Sequence, residues 1–206
     1  MSDIKKMIYR VDLPFENFTQ PIKTKGYALT LIAKNDNGIK VLKELAATLK
    51  SDELLTSCEL LNFDLLMQNR ADVLIGSTGD HGEVFNELKW WWDYAKDYKK
   101  MVEFYDFLEI FTAIDDQERD INKRILELGH VFNVPVLAIS NVELMKPNNE
   151  RTIKKLPPNF NCFDEHSEQT IPIKDVLSEF EYLGRENAEE VVIKNLEKIM
   201  GYINTY

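Results

Sequence analysis

Nowhere does this sequence run for the roughly 18 to 20 unbroken apolar residues that a membrane-crossing helix requires, so no membrane role is expected of it. The opening Met1-Ser2-Asp3-Ile4-Lys5-Lys6-Met7 carries no apolar stretch of the kind a secretory leader has, which argues against export. Cysteine is scarce. Cys58 and Cys162 stand far apart without a metal-type spacing, and unpaired thiols fit a reducing cytoplasm. Histidine is scattered, at His81, His130 and His166, and no His-x-His, His-Glu-x-x-His or Cys-x-x-Cys pattern occurs. The Walker lysine-serine pair, the dinucleotide glycine fingerprint and the Gly-x-Ser-x-Gly elbow are missing as well. Positive charge is in deficit, with 25 Lys and Arg against 35 Asp and Glu for a net charge of −10. Nonspecific duplex binding draws on cations that neutralise phosphates, so this chain alone is not expected to bind nucleic acid directly. A solvated acidic surface is the simpler account of that charge.

What is present is enough for one sizeable core, with or without a small appendage: 206 residues, 44% of them hydrophobic. Residues 1–25 mix basic and turn residues with isolated apolar anchors and read as an N-terminal arm. From residue 26 a rhythm sets in. Tyr27–Ala33 is strand-like, Asn35-Asp36-Asn37-Gly38 is a turn with helix-capping residues, and Val41, Leu42, Leu45 and Leu49 recur at helical spacing. A short helix near Leu60–Met67 precedes a strand at Val73–Ile75, and a helical region runs from about His81 to Lys100. Strand Phe104–Phe111, helix Asp116–Phe132 and strand Val134–Ser140 follow. Four strands separated by helices predict parallel β/α architecture. Residues 141–172, with Pro147, Pro157, Pro158 and Pro172, read as a long loop closing a β/α domain over 26–172. Residues 173–206 hold a C-terminal helix pair, about Ile173–Tyr182 and Arg185–Asn204.

In such folds functional groups gather beyond the carboxyl ends of strands. The candidates there are Asn35 and Asp36, Ser77 through His81, Glu109, and Asn141 with Glu143. Two acids, a histidine and an asparagine suit a divalent cation or acid/base work. The plainer account is structural: Asp80 as a helix cap, His81 as an exposed first-turn residue, and His130 as a C-terminal charge or packing group. The Ser77–Gly82 turn has amides that suit a phosphate, but its glycines fit a tight strand-to-helix turn equally well. Trp90-Trp91-Trp92 would fan across about 200° of a helix, so one face cannot bury all three; the run fits a partner-binding surface or ordinary core and rim packing.

Taken in order, Tyr27–Leu42 (YALTLIAKNDNGIKVL), Leu74–Phe85 (LIGSTGDHGEVF), Phe104–Ile110 (FYDFLEI), Pro135–Val142 (PVLAISNV) and Phe180–Lys194 (FEYLGRENAEEVVIK) have a family likeness. Together they resemble the latter part of the PHP domain (polymerase and histidinol phosphatase domain) of PolC-type DNA polymerase III alpha subunits of Gram-positive bacteria, over roughly residues 26–203. The resemblance implies a partial TIM-barrel-like array of parallel β/α units. It also implies a fold whose active members hold divalent metals at the strand ends and hydrolyse phosphoesters. The chain departs from that pattern at the donors. The early histidine-rich and Thr-Asp-His motifs have no counterpart, nor has the histidine expected around residues 50–58. Gly79 stands where the family has a metal-binding cysteine, and Glu143 where it has a ligand histidine. A carboxylate alone rarely rebuilds a transition-metal cluster.

The expectation is therefore a degenerate, truncated PHP-like module without catalytic residues, metal or other cofactor. Its expected partner is a protein, with replisome components first in line. Ser77, Asp80, His81, Glu109, Asn141 and Glu143 would form a remnant pocket, and Trp90, Trp91 and Trp92 a partner surface. Two alternatives stand beside it: a phosphoesterase with a reduced manganese or zinc site, and a split polymerase fragment completed by a second chain. Half a barrel leaves sheet edges bare, so either a homodimer or cover from residues 1–25 and the 141–172 loop is expected.

Overall fold

A computed structural model describes residues 10–15, 27–48, 63–90, 98–139 and 173–203. The chain forms β1 (Arg10–Phe15), β2 (Tyr27–Ala33), α1 (Asp36–Thr48), α2 (Phe63–Gln68), β3 (Val73–Gly76) and α3 (Glu83–Trp90). Next come α4 (Lys99–Val102), β4 (Leu108–Phe111), α5 (Asp116–Phe132) and β5 (Val136–Ile139). It closes with α6 (Ile173–Glu179), α7 (Arg185–Glu189), a π-helical turn (Glu190–Lys194) and α8 (Asn195–Gly201).

The fold is mixed α/β, and the all-parallel expectation fails in its first half. Strands β1, β2 and β3 form an antiparallel sheet in that order, whereas β4 and β5 pair in parallel. A parallel bridge between Gly76 and Phe107 joins the two. The reason lies between β2 and β3. Among the described residues α1, α2 and a 3-10 turn (Arg70–Asp72) occupy that interval, and the chain re-enters the sheet beside the end of β2, where Lys34 N–H donates to Asp72 O at 2.9 Å. A single crossover helix would have returned it to the other end. Residues 10–15, part of the expected arm, supply the strand that covers the outer edge of β2, with Arg10 opposite Ile32 and Phe15 opposite Tyr27.

Alternation along the strands defines two faces. Leu29, Leu31, Val73, Ile75, Leu108 and Ile110 share one core with α1, α3 and α5. Ile32, Leu74, Phe107 and Leu137 share another with Ile199 of α8 and Ile203 just beyond it. Helix α5 spans the predicted residues because both ends are specified. Asp115 accepts from Glu118 N–H at 2.8 Å while Glu118 Oε2 accepts from Ile114 N–H at 2.7 Å, a reciprocal capping arrangement. At the other end Asn133 adopts φ 55° and its N–H returns to the last helical carbonyls.

Strand β4 begins four residues later than predicted. Residues 103–106 turn instead, and Asp106 fills the place of a strand partner. Its N–H donates to Ile75 O at 2.8 Å and its Oδ2 accepts from Ile75 N–H at 2.7 Å. Arg70 Nη1 holds the same oxygen at 2.7 Å and also reaches Val73 O. Replacing Asp106 by alanine removes a charged acceptor from a buried amide and should lower unfolding free energy by about 1–3 kcal/mol. Urea denaturation of the variant beside the parent measures this, and an unchanged midpoint would contradict it.

Candidate functional site

Strand direction decides which predicted residues can meet. Because β2 runs opposite to β3 and β4, Asn35 and Asp36 lie at the far end of the sheet from Ser77. They do not join a common site. Asn35 instead caps α1, its Oδ1 accepting from Gly38 N–H at 2.9 Å, and its Nδ2 donates to Asp72 at 2.7 Å. The residues of β2 that do stand at the carboxyl end of β3 are its early ones, Tyr27 and Thr30, which the sequence reading did not select.

Thr30, Ser77, Thr78 and Glu109 are all buried. Ser77 Oγ accepts from Glu109 N–H at 3.0 Å, Thr30 Oγ1 donates to Glu109 Oε2 at 3.1 Å, and the hydroxyls of Thr30 and Thr78 meet at 2.9 Å. Thr30 on β2 reaches Glu109 on β4 across β3, and it does so over Gly76, which stands directly opposite Thr30. A Cβ on Gly76 would overlap the Phe107 ring. Small size there keeps both the ring contact and the cross-strand bond possible.

Beyond Ser77 the chain tightens. Thr78 and Gly79 take φ 51° and 39°, a left-handed pair in which the threonine is the unusual member. A Cβ on Gly82 would collide with the Ser77 carbonyl, so this position requires glycine. The turn's amides at His81 and Gly82 donate to Thr78 O and Gly79 O, which removes them from any phosphate cradle. Asp80 lies inside this turn, three residues before α3, and does not cap that helix. Its carboxylate faces His81 Nε2 at 3.8 Å, with both side chains well exposed (44% and 65%). An exposed pair of this kind contributes about 0–1 kcal/mol. The predicted remnant pocket therefore divides: Ser77 and Glu109 are bonded together in the interior, while Asp80 and His81 pair on the surface.

A second polar group borders the first. Glu83 and Glu87 lie one turn apart on α3 and are buried, with Tyr105 OH donating to Glu83 Oε2 at 3.5 Å. Burial, then the Glu83 carboxylate, hold the Tyr105 hydroxyl well above its ordinary 10.0. Tyr27 is raised by burial first and by Glu87 and Glu83 next. Two clues to these residues existed in the sequence: a lone hydroxyl, Thr30, inside an apolar strand, and paired acids flanking Val84 and Leu88 on a helix. Asn141, Glu143, Trp91, Trp92, Cys58, Cys162 and His166 lie outside the described residues; Trp90 is the last residue of α3. His130 lies in the last turn of α5, its Nε2 set 3.0 and 3.3 Å from the Glu190 carboxylate. Among the described residues no three His, Cys, Asp or Glu side chains are arranged to hold a metal ion, and none of their helices is long and apolar enough to cross a membrane.

Set against known proteins, the chain matches one part of PolC-type DNA polymerase III. It is 28% identical over 188 residues to that protein of Clostridium perfringens, across 83% of this chain and 13% of the relative. With the Bacillus subtilis protein it shares 25% identity over 201 residues, across 88% and 14%. The Staphylococcus epidermidis protein gives 29% over 199 residues, across 85% and 13%. The chain thus spans only 13–14% of the length of these relatives. No model of a known protein family matches it.

The raised phenols set an alkaline limit. Folding favours the neutral form of Tyr105, Tyr27 and Tyr182, so their contribution is intact below the ordinary value of 10.0 and lost as pH rises through the higher folded-state values. Stability should therefore fall progressively above that pH. Tyr105→Phe should fall less steeply, as chemical denaturation across alkaline pH would report; parallel curves would contradict the assignment.

Proposed function

We propose that this chain is a PHP-like module related to PolC-type DNA polymerase III that serves as a non-catalytic, protein-binding unit of DNA replication. One observation carries the reading: the hydroxyls of Thr30, Ser77 and Thr78 are bonded within the sheet itself. Ser77 holds the Glu109 amide, Thr30 holds the Glu109 carboxylate, and Thr78 holds Thr30, so that β2, β3 and β4 are tied together. Such bonds stabilise a framework and leave Ser77 without the freedom a ligand needs. The pair outside, Asp80 and His81, is separated from them by exposure. In this reading the partner is a replisome protein, and Trp90–Trp92 remains its proposed anchor.

The split-fragment alternative has a structural difficulty. In a β/α barrel the sheet face turned away from the helices is the interior. Here that face is covered by Ile199 and Ile203, in the place a completing half-barrel would need. The phosphoesterase alternative needs a metal site, and among the described residues no three acidic, histidine or cysteine side chains are arranged to hold one.

Metal analysis by mass spectrometry after purification in manganese or zinc separates the readings. Less than stoichiometric metal and no hydrolysis of a chromogenic phosphodiester are expected; stoichiometric metal, with hydrolysis abolished by Glu109→Gln, would overturn the proposal. A pull-down from the native host should recover replication proteins, and a Trp90→Ala, Trp91→Ala, Trp92→Ala triple variant should lose them while remaining folded.

A further inference from the structure

The sequence has a single Asn-Gly step, Asn37-Gly38, and the fold sets it in the first turn of α1 against Asp72. An asparagine followed by glycine is the step at which the next backbone nitrogen most readily attacks the side-chain amide, since no Cβ obstructs ring closure. Closure requires Gly38 N to approach Asn37 Cγ. In the folded chain Gly38 N–H instead donates to Asn35 Oδ1 at 2.9 Å, and residue 37 is held in helical backbone. The reacting amide is itself gripped, Asn37 Nδ2 donating to Asp72 Oδ2 while Asn35 Nδ2 donates to Asp72 Oδ1.

We propose that Asn37 is a spontaneous deamidation site kept shut by the first turn of α1, and that its conversion breaks the clasp between α1 and Asp72. In the reaction the Gly38 nitrogen bonds to Asn37 Cγ, and the amide nitrogen departs as ammonia with the displaced proton, leaving a succinimide. Water then opens the ring at one carbonyl or the other, giving aspartate or isoaspartate at position 37. Either product replaces a donor to Asp72 with a second carboxylate. Asp72 is poorly placed to accept that, because the amides of Asn35 and Asn37 keep its carboxyl below the ordinary 3.8 and hence ionised. The isoaspartate form also lengthens the backbone by a methylene inside the helix. Glycine at 38 is not dispensable, since a Cβ there would strike the Asp72 carbonyl; the fold retains the labile step and guards it.

Peptide mapping of the whole chain, incubated folded and in urea at mildly alkaline pH, tests this. Conversion at Asn37 should proceed in the unfolded chain and at least about tenfold more slowly in the folded one, the factor reporting how rarely the turn opens. Asp72→Ala should speed conversion of the folded protein while leaving the unfolded rate unchanged, and Asn37→Asp should lower the thermal midpoint. Equal rates in the folded and unfolded parent would overturn the proposal without recourse to any variant. So would an unfolded chain that does not convert, or a folded Asp72→Ala protein that converts no faster than the parent.

Discussion

The seam between β3 and β4 holds the molecule together. On one side the strands alternate in direction; on the other they run in parallel, and one bridge, Gly76 to Phe107, links the two ladders. Ile75 is fully buried beside that bridge, and a buried backbone N–H or C=O left unpaired is costly. Asp106 answers for both groups of Ile75, one through its own N–H and the other through its carboxylate. A side chain thus completes a ladder that the backbone does not, and Arg70 fixes its charge. Two sheets that would otherwise splay become a single surface on which helices can pack.

That seam also explains what could and could not be read from the residues in order. Helix α5 was legible to the residue because Asp115, Glu118 and Asn133 write its ends in local chemistry. The apolar runs of β2 and β3 were equally plain. Direction was not, because alternation along a strand is the same whichever way its neighbour runs. What sets it is the end of the sheet at which the chain re-enters, beside Lys34 and Asp72 here, and no local residue pattern records that. The consequence reaches the site: a parallel β2 would place Asn35 and Asp36 beside Ser77, whereas the antiparallel strand brings Tyr27 and Thr30 to that edge. Asp106 was hidden for a related reason. A turn aspartate inside an aromatic run (Phe104 to Phe111) looks like strand by composition, yet it is fixed by a partner 31 residues away.

Burying hydroxyls and carboxylates is costly, and hydrogen bonds to neighbours offset that cost. In the cluster around Gly76 each bond does double duty, satisfying a polar atom and fixing the spacing of a strand. Inward positions near strand ends can serve framework bonds and ligand contacts alike. What differs is the geometry at the turn. Thr78 in left-handed backbone and Gly82 against the Ser77 carbonyl curl the segment back on itself, spending amides on its own carbonyls. Backbone folded that way offers little to an incoming anion.

The C-terminal helices complete the same logic from the other face. Asn195 Nδ2 donates to Val136 O at 3.0 Å on β5, so a side chain again stands where a further strand would otherwise bond. The π-helical turn that precedes it brings Val191 and Val192 into the main core and Glu190 to His130 on α5. One turn further, Ile199 and Ile203 cover the second face of the sheet. Burial of side chains of this kind stabilises by about 1.5–3 kcal/mol each, enough that exposing that face to admit another sheet would have to replace the contacts in full. Helices therefore close here what strands close in a barrel. Among the described residues that face is occupied by Ile199 and Ile203, so anything docking there would first have to displace them.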